Sequence, residues 1–189
     1  MVEFGINLLT PEGWLPLIFA LVMALSILAY VILDGFDLGV GILLRQAQIT
    51  EHKNVMIASI SPFWDANETW LVLGIGVLLV AFPVAHGVIL GALYLPVTLM
   101  LIALVLRGVA FDFRVKAKAA QQPMWDGVFY TGSLLTAWAQ GYMLGQFITG
   151  FQDDRLGKWF SILIGFCLIA GYRLLGASWV IMKSEGELQ

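Results

Sequence analysis

Two pairs of acidic residues adjoin long apolar segments, where ionisable side chains are rare. Asp34 and Asp37 follow the first apolar segment, and Asp65 and Glu68 open the second. Residues three apart in a helix share a face, so each pair would place two carboxyl groups together. Neighbouring carboxyl groups in a low-dielectric setting bind protons more readily than isolated ones, as a proton relay requires. Ionisable groups at or below the membrane interface are the first candidates for a functional site, so both pairs qualify.

The first acidic pair belongs to a glycine-rich segment, residues 34–41, with the sequence Asp-Gly-Phe-Asp-Leu-Gly-Val-Gly. A solvated helix end with glycines at its C-cap would explain this composition without any function. The C-terminal end of a helix is, however, its negative dipole end and disfavours carboxylates. Two acids at the end of the first helix therefore need a compensating reason.

The second acidic pair lies in residues 61–70, Ser-Pro-Phe-Trp-Asp-Ala-Asn-Glu-Thr-Trp. Ser61 is predicted to cap a helix, with Pro62 as its first residue. Acids suit a first helical turn, because the N-terminal end of a helix is its positive dipole end. Asp65 and Glu68, together with an asparagine and a threonine between two tryptophans, also fit a polar inlet into a membrane. The residues alone leave both interpretations open.

Two arginines lie at the end of an apolar block or inside one. Arg107 begins Arg-Gly-Val-Ala-Phe-Asp-Phe-Arg, in which Asp112 and Arg114 are predicted to be interfacial. Snorkelling explains Arg107; the alternative is a cation for a quinone, a haem propionate or Asp65. Arg173 lies deep in the last apolar block, which an isolated helix would tolerate poorly. We expect Arg173 to snorkel inward or to pair within the bundle.

The metal-ligand inventory is small. The histidines are His52, in a predicted loop, and His86, in a predicted external turn; the single cysteine, Cys167, lies in an apolar block. An axial haem ligand is a His, Met or Cys, so His86 is the one candidate, and a surface turn residue is the favoured interpretation. Cys167 is interpreted as a packing residue. No nucleotide-binding glycine loop or nucleophile elbow is found.

The elements that must position these groups are membrane helices. Hydrophobic residues make up 60% of the 189 and charged residues 12%, with a mean hydropathy of +0.88. A soluble domain carries about 25% charged residues. The net charge of −3, without a basic stripe, argues against a nucleic-acid partner. Five apolar blocks are long enough to cross a bilayer: 13–33, 62–83, 88–106, 124–151 and 159–182.

The sequence therefore predicts an all-α, polytopic integral membrane bundle of about five transmembrane helices. Basic residues orient it, because they concentrate on the cytoplasmic side. Six fall on one side and two on the other, which places the N-terminus outside. The cytoplasmic segments are predicted to be 45–57, 111–123 and 183–189, and the external segments 1–13, 84–87 and 152–157. Glycine pairs four apart, at 35/39, 87/91 and 141/145, predict close helix packing.

Four segments together resemble subunit II of the cytochrome bd-type quinol oxidases. They are residues 34–41, residues 62–67 (Pro-Phe-Trp-Asp-Ala-Asn), residues 107–114, and residues 176–187 (Gly-Ala-Ser-Trp-Val-Ile-Met-Lys-Ser-Glu-Gly-Glu). They occur in the family's order and span nearly the whole chain. Members of that family continue with a second set of helices. Residues 1–189 are therefore expected to form a single transmembrane helical domain that resembles the N-terminal half of subunit II.

The resemblance implies a function. The family oxidises quinol and reduces O2 to water in the bacterial or archaeal cytoplasmic (inner) membrane. The resemblance also implies that haem b and haem d are held by the partner, subunit I, and that this chain ligates no cofactor. On the matching positions, Asp34, Asp37 and Asp65 are the acids of a cytoplasmic proton path. The implied partners are subunit I, membrane lipid and quinone, with small accessory subunits as further candidates.

Two other functions fit the same residues. A small proton or ion transporter could line its path with the three aspartates, and a purely structural membrane subunit could use them to shape an interface. Haem spectra of a gently purified complex separate the oxidase from both, because a transporter needs no pigmented partner. Proton-flux measurements separate the transporter from the structural subunit.

The topology can be tested by cysteine accessibility. Cysteines replacing Gly5, Gln48, Lys118 and Gly186 one at a time, in a Cys167→Ser background, should label from the outside only at position 5, because the basic bias places the other three in the cytoplasm. A membrane-impermeant maleimide applied to intact cells gives the measurement. External labelling at position 118 would contradict the orientation.

Overall fold

A computed structural model describes residues 10–152 and 154–184, and this part of the chain is helical with no strand. The helices are α1 (Pro11–Leu43), α2 (Thr50–Ile60), α3 (Trp64–Ala81), α4 (Pro83–Ala92), α5 (Tyr94–Lys116), α6 (Gln122–Ile148) and α7 (Arg155–Lys183). Helix α1 packs against α3, α6 and α7, and α6 lies between α5 and α7. The predicted all-α bundle is confirmed.

Within the described residues, α1, α3, α5 and α7 are long and apolar enough to cross a membrane. They correspond to four of the five predicted blocks, and the chain is a multi-pass membrane protein. Helix α6 has 27 residues and packs along α5 and α7, but its sequence is more polar, so its crossing remains a prediction. The external location of the N-terminus also remains a prediction, and residues 1–9 lie outside the described part.

The first helix is longer than predicted. It continues to Leu43, so Asp34 and Asp37 lie within it and are buried there. The interpretation of residues 34–41 as a solvated helix end with a glycine C-cap is therefore wrong. Its glycines face neighbouring helices: a Cβ at Gly35 would lie 2.9 Å from the ring of Tyr172, and one at Gly41 would overlap Ser133. The glycines serve packing between helices.

Three other predicted connections contain helices. The loop predicted at 45–57 includes most of α2, which buries Met56, Ile57 and Ile60 against the bundle. The predicted external turn at 84–87 lies inside α4, because Pro83 starts a new helix directly after α3. Helix α5 continues to Lys116, well beyond the predicted end of the third block.

The predicted start of the second span is also wrong. Ser61 follows α2 as its C-cap, and Phe63 is the N-cap residue of α3, which begins at Trp64. Ser61 therefore cannot cap α3, and Pro62 is not its first residue. The short turn between α2 and α3 is exposed, but it places the first turns of α3 beside the last part of α1.

Glycines permit the closest helix approaches. Helices α1 and α7 cross at Gly39 and Gly176, where a Cβ on Gly39 would lie 2.6 Å from the backbone nitrogen of Gly176. Helices α6 and α7 meet similarly at Gly141 and Gly165. The pairs 35/39 and 141/145 thus lie at helix contacts, as predicted. The pair 87/91 does not, because no atom lies within 4 Å of a Cβ built at either residue.

Replacing Gly39 with alanine should destabilise the bundle. The new Cβ would overlap the Tyr172 carbonyl and the α7 backbone, and such overpacking costs about 1–3 kcal/mol, more than alanine gains in helix propensity. The thermal unfolding of detergent-purified protein measures the effect. Gly87→Ala is the matched control and should be neutral or slightly stabilising. Equal melting temperatures for the two variants would contradict the α1–α7 crossing.

Candidate functional site: a buried ion network

Three membrane helices contribute charged residues to one buried site. Helix α1 supplies Asp34 and Asp37 on the face that it turns toward the bundle, α3 supplies Glu68 from its second turn, and α5 supplies Arg107. Asp34, Asp37 and Arg107 are at most 2% exposed. The close approach of α7 to the glycine side of α1 leaves the acidic side facing α3 and α5.

Arg107 is the centre of the site. Its Nη1 donates to Asp34 Oδ1 at 2.9 Å and to Glu68 Oε1 at 2.6 Å, so one nitrogen joins α5 to both α1 and α3. The guanidinium carbon lies 5.9 Å from the ring centre of Trp64 and 5.8 Å from that of Phe129, within cation–π range. A buried guanidinium needs such compensation, because removal of charges from water is strongly unfavourable.

The site contains more acid than base. Arg107 is the one base bonded to it among the described residues, against three carboxyl groups. Asp34 Oδ2 and the Nε and Nη2 atoms of Arg107 are buried without a hydrogen-bond partner in that part of the chain. Unpaired buried polar atoms are rare and unfavourable in proteins. The arrangement can therefore accept protons or water.

A small cavity adjoins the second aspartate. Asp37 Oδ2 accepts a hydrogen bond of 2.7 Å from Asn67 Nδ2, and both residues line a cavity of about 150 Å³. Its other lining residues include Phe63 and Trp179, at the end of the bundle where α3 begins and α7 ends. A water needs roughly 10–15 Å³ measured with a water-sized probe, so this cavity can hold several. It connects Asp37 with that end of the bundle.

A chain of neutral hydrogen bonds lies on the other side of Asp34. The Tyr172 hydroxyl donates to Gln140 Oε1 at 2.6 Å, and Gln140 Nε2 donates to the Tyr30 hydroxyl at 2.7 Å. Tyr30 is buried one helical turn before Asp34 on α1. Because the Tyr30 oxygen already accepts from Gln140, its own proton remains available on the helix face that carries Asp34.

The structure separates the three predicted site aspartates. Asp34 and Asp37 belong to the buried network, whereas Asp65 is exposed in the first turn of α3. Arg107 is fully buried, so the snorkelling interpretation is wrong, and it pairs with Asp34 and Glu68 rather than with Asp65. A role for Arg107 as the cation of a quinone or a haem propionate stays a prediction. Glu68 was visible as a candidate acid, but its partner on α5 was not predictable from spacing.

A second network lies nearer the helix ends. Asp126 accepts from Arg114 Nε and pairs with Lys53 at 3.2 Å, and Arg114 Nη1 donates to Asn54 Oδ1 at 3.0 Å. Arg114 is 4% exposed, whereas Asp112 is exposed, and the location of both at the membrane interface stays a prediction. This network attaches α2 to α5 and α6. The sequence analysis missed Asp126, whose only signal is a lone acid early in a long uncharged helix.

The candidate metal ligands are dispersed over the described residues. They include no group of three or more His, Cys, Asp or Glu side chains arranged to hold a metal ion. His52 lines an open groove beside α2, and His86 lies partly exposed in α4. That this chain ligates no haem therefore stays a prediction.

These features define the class of the protein: a polytopic membrane helix bundle with an acid-rich ion network inside its candidate membrane spans, which makes that network a candidate functional site. Residues 15–189 match the family described as cytochrome bd terminal oxidase subunit II. The chain belongs to this family, and the resemblance drawn from its four sequence segments is confirmed.

Individual relatives agree with the family. Cytochrome bd ubiquinol oxidase subunit 2 of Bacillus subtilis (strain 168) is 37% identical over 136 residues, 71% of this chain and 40% of its own length. Cytochrome bd-I ubiquinol oxidase subunit 2 of Escherichia coli (strain K12) is 31% identical over 184 residues, 89% of this chain and 48% of its own length. A probable cytochrome oxidase subunit 2 of Haemophilus influenzae is 30% identical over 192 residues, 93% of this chain and 50% of its own length. The chain spans about half the length of the relatives that it matches, or less.

Removing the central cation should destabilise the bundle strongly. Arg107→Met leaves Asp34 as an uncompensated buried acid, and breaking a buried pair costs about 3–5 kcal/mol. Thermal unfolding of the purified protein gives the measurement. Lys116→Met, at an exposed position of the same helix, is the control and should change little. The double variant Arg107→Met/Asp34→Asn should recover part of the loss; equal effects of Arg107→Met and Lys116→Met would contradict the network.

Proposed function

We propose that this chain is part of subunit II of a respiratory cytochrome bd-type terminal oxidase, which oxidises quinol and reduces O2 to water. The support is family membership together with relatives that are named as oxidase subunits. We propose the bacterial or archaeal cytoplasmic (inner) membrane as its location. The chain is not catalytic alone; it acts as one subunit of a quinol:O2 oxidoreductase.

The proposed division of labour gives the cofactors to another chain. Haem b and haem d are proposed to belong to subunit I, as the family resemblance implies. Quinol is the substrate of the complex. Subunit I, membrane lipid and quinone are the proposed partners, with small accessory subunits as further candidates. This chain supports subunit I and supplies part of a proton path.

The proton path is proposed to run from Asp65 through Asp37 to Asp34. The observation that carries it is the cavity of about 150 Å³ beside Asp37 and Asn67, next to the buried Arg107–Asp34 pair. Asp65 is exposed at the start of α3 and can exchange protons with water. Asp37 receives protons across the cavity, and Asp34 holds them beside Arg107. Reduction of O2 consumes protons, so such a path serves the reaction.

A small proton or ion transporter is the second candidate function, because the same excess of carboxyl groups would suit it. A purely structural subunit is the third. The three differ in what must accompany the chain. The oxidase requires a haem-containing partner subunit. The transporter requires ion flux through the aspartates and no such partner. The structural subunit requires neither a haem-containing partner nor ion flux.

Loss of the carboxyl group at Asp37 should slow the oxidase without removing haem. We expect Asp37→Asn to lower quinol oxidase turnover at least tenfold, or about 1.4 kcal/mol in the barrier, since an amide cannot carry the proton. Asp65→Asn should act similarly, and Asp34→Asn more weakly. Turnover is followed as quinol-dependent O2 consumption by the purified complex, and the reduced absorption spectrum reports haem content.

Two controls separate proton transfer from structural damage. Asp37→Glu keeps a carboxyl group and should retain a substantial part of the activity. Asp112→Asn removes an exposed carboxyl group from α5 and should have no effect. Normal turnover of a fully haem-loaded Asp37→Asn complex would exclude Asp37 from the path, and the same result for Asp65→Asn would reduce that residue to a helix-start acid.

A further inference from the structure

One charged side chain in the membrane part of α7 has no partner. Arg173 is exposed, and it forms no hydrogen bond or ion pair with residues 10–152 or 154–184. Uncharged residues fill positions 159–172 and 174–182 on either side of it. The expectation that Arg173 snorkels inward or pairs within this bundle is therefore wrong for the described residues. A cation at this position needs a counter-charge from another molecule or segment.

The depth of Arg173 decides which counter-charge can reach it. Helix α7 continues for ten residues beyond it, about 15 Å of rise, before ending at Lys183. The neighbouring Tyr172 packs on Gly35 and Gly39 of α1, so Arg173 lies at the level of the Asp34 network, about 100° around α7 from the side that contacts α1. Lipid phosphates lie at the membrane surface, beyond the hydrocarbon. The depth therefore favours a carboxylate on a neighbouring helix.

The surface around Arg173 suits a helix. The α7 outer face, as we define it, comprises residues within an arc of about 100° of the helix, with Arg173 at one edge: Leu163, Phe166, Ala170, Arg173, Leu174 and Ile181. All six are exposed, Leu174 to 71% and Phe166 to 60%. Ala170, one turn from Arg173, leaves room for a close backbone approach. An apolar helix face with one cation at the depth of the hydrocarbon core is complementary to a transmembrane helix that carries one acid.

We propose that the α7 outer face docks a transmembrane helix whose Asp or Glu side chain pairs with Arg173. The guanidinium favours this partner because it matches a carboxylate in a two-point geometry and, at this depth, competes with little water. The proposal rests on the proposed function only in requiring that the chain work inside a larger membrane complex. Relatives about twice its length are consistent with additional helices beside this one.

The docked helix can be identified by cross-linking in the assembled complex. A benzophenone amino acid replacing Phe166 lies seven residues from Arg173 on the same face. After illumination, mass spectrometry of the purified complex should find a cross-link to one membrane-spanning peptide that has an Asp or Glu within about two turns of the attachment site. A cross-link only to lipid, or to a peptide without an acid there, would overturn the proposal.

Charge coupling gives the second test. Arg173→Ala should shorten the half-life of the detergent-solubilised complex on native gels about tenfold, and Arg173→Lys should do so less. Arg155→Ala, at the exposed start of the same helix, is the control and should have no effect. Neutralising the cross-linked acid should reproduce Arg173→Ala, and the double variant should be no worse than either single change. If Arg173→Ala prevents assembly, Arg173→Lys alone carries the comparison.

The outcomes also separate this proposal from the oxidase assignment. Additive effects of the two single changes, or identical half-lives for Arg173→Ala and Arg155→Ala, would reject the Arg173 pair while leaving the haem spectrum unaffected. A purified complex without haem would reject the oxidase assignment. The cross-link to an acidic helix, and the equal effects of the single and double variants at Arg173 and that acid, could still be found.

Discussion

An ion pair in an apolar interior links three helices of this bundle. Arg107 has no surface exposed to bulk solvent, so most of its charge is balanced by groups that the fold itself supplies. Asp34 and Glu68 reach it from different helices through one guanidinium nitrogen. The positions of α1, α3 and α5 are consequently coupled, since a shift of any one helix alters the solvation of a buried charge in another.

That coupling depends on close packing elsewhere. The acids of α1 can face α3 and α5 because the opposite side of the helix is occupied by glycines in near contact with α7. Residues 34–41 therefore serve two purposes: their acids form the ion network, and their glycines allow close helix packing. The aromatic rings of Trp64 and Phe129 complete the surroundings of the guanidinium and exclude lipid and bulk water from it.

Much of this arrangement could be predicted from the sequence, and the features that could not be predicted have identifiable physical reasons. Long apolar blocks predict membrane helices because the bilayer leaves few alternatives, and intramembrane acids predict a site because they are unfavourable elsewhere. The end of α1 was misjudged because glycine ends helices in water but packs helices together in membranes. The partners of Arg107 and the Asp126 network depend on which helices become neighbours, and residues such as Asp34 and Arg107, 73 positions apart, give no local signal. The exposure of Asp65 depends in the same way on the path of the chain before α3.

The separation of those two residues along the chain has a consequence for biosynthesis. A ribosome completes α1 and α3 before it makes α5, so Asp34 and Glu68 enter the membrane before their cation exists. Until α5 is inserted, both acids must remain protonated, hydrated or sheltered by the insertion machinery, because an isolated carboxylate is strongly disfavoured in hydrocarbon. The bundle therefore cannot mature strictly helix by helix: its first span acquires a stable environment only when the span that carries Arg107 arrives.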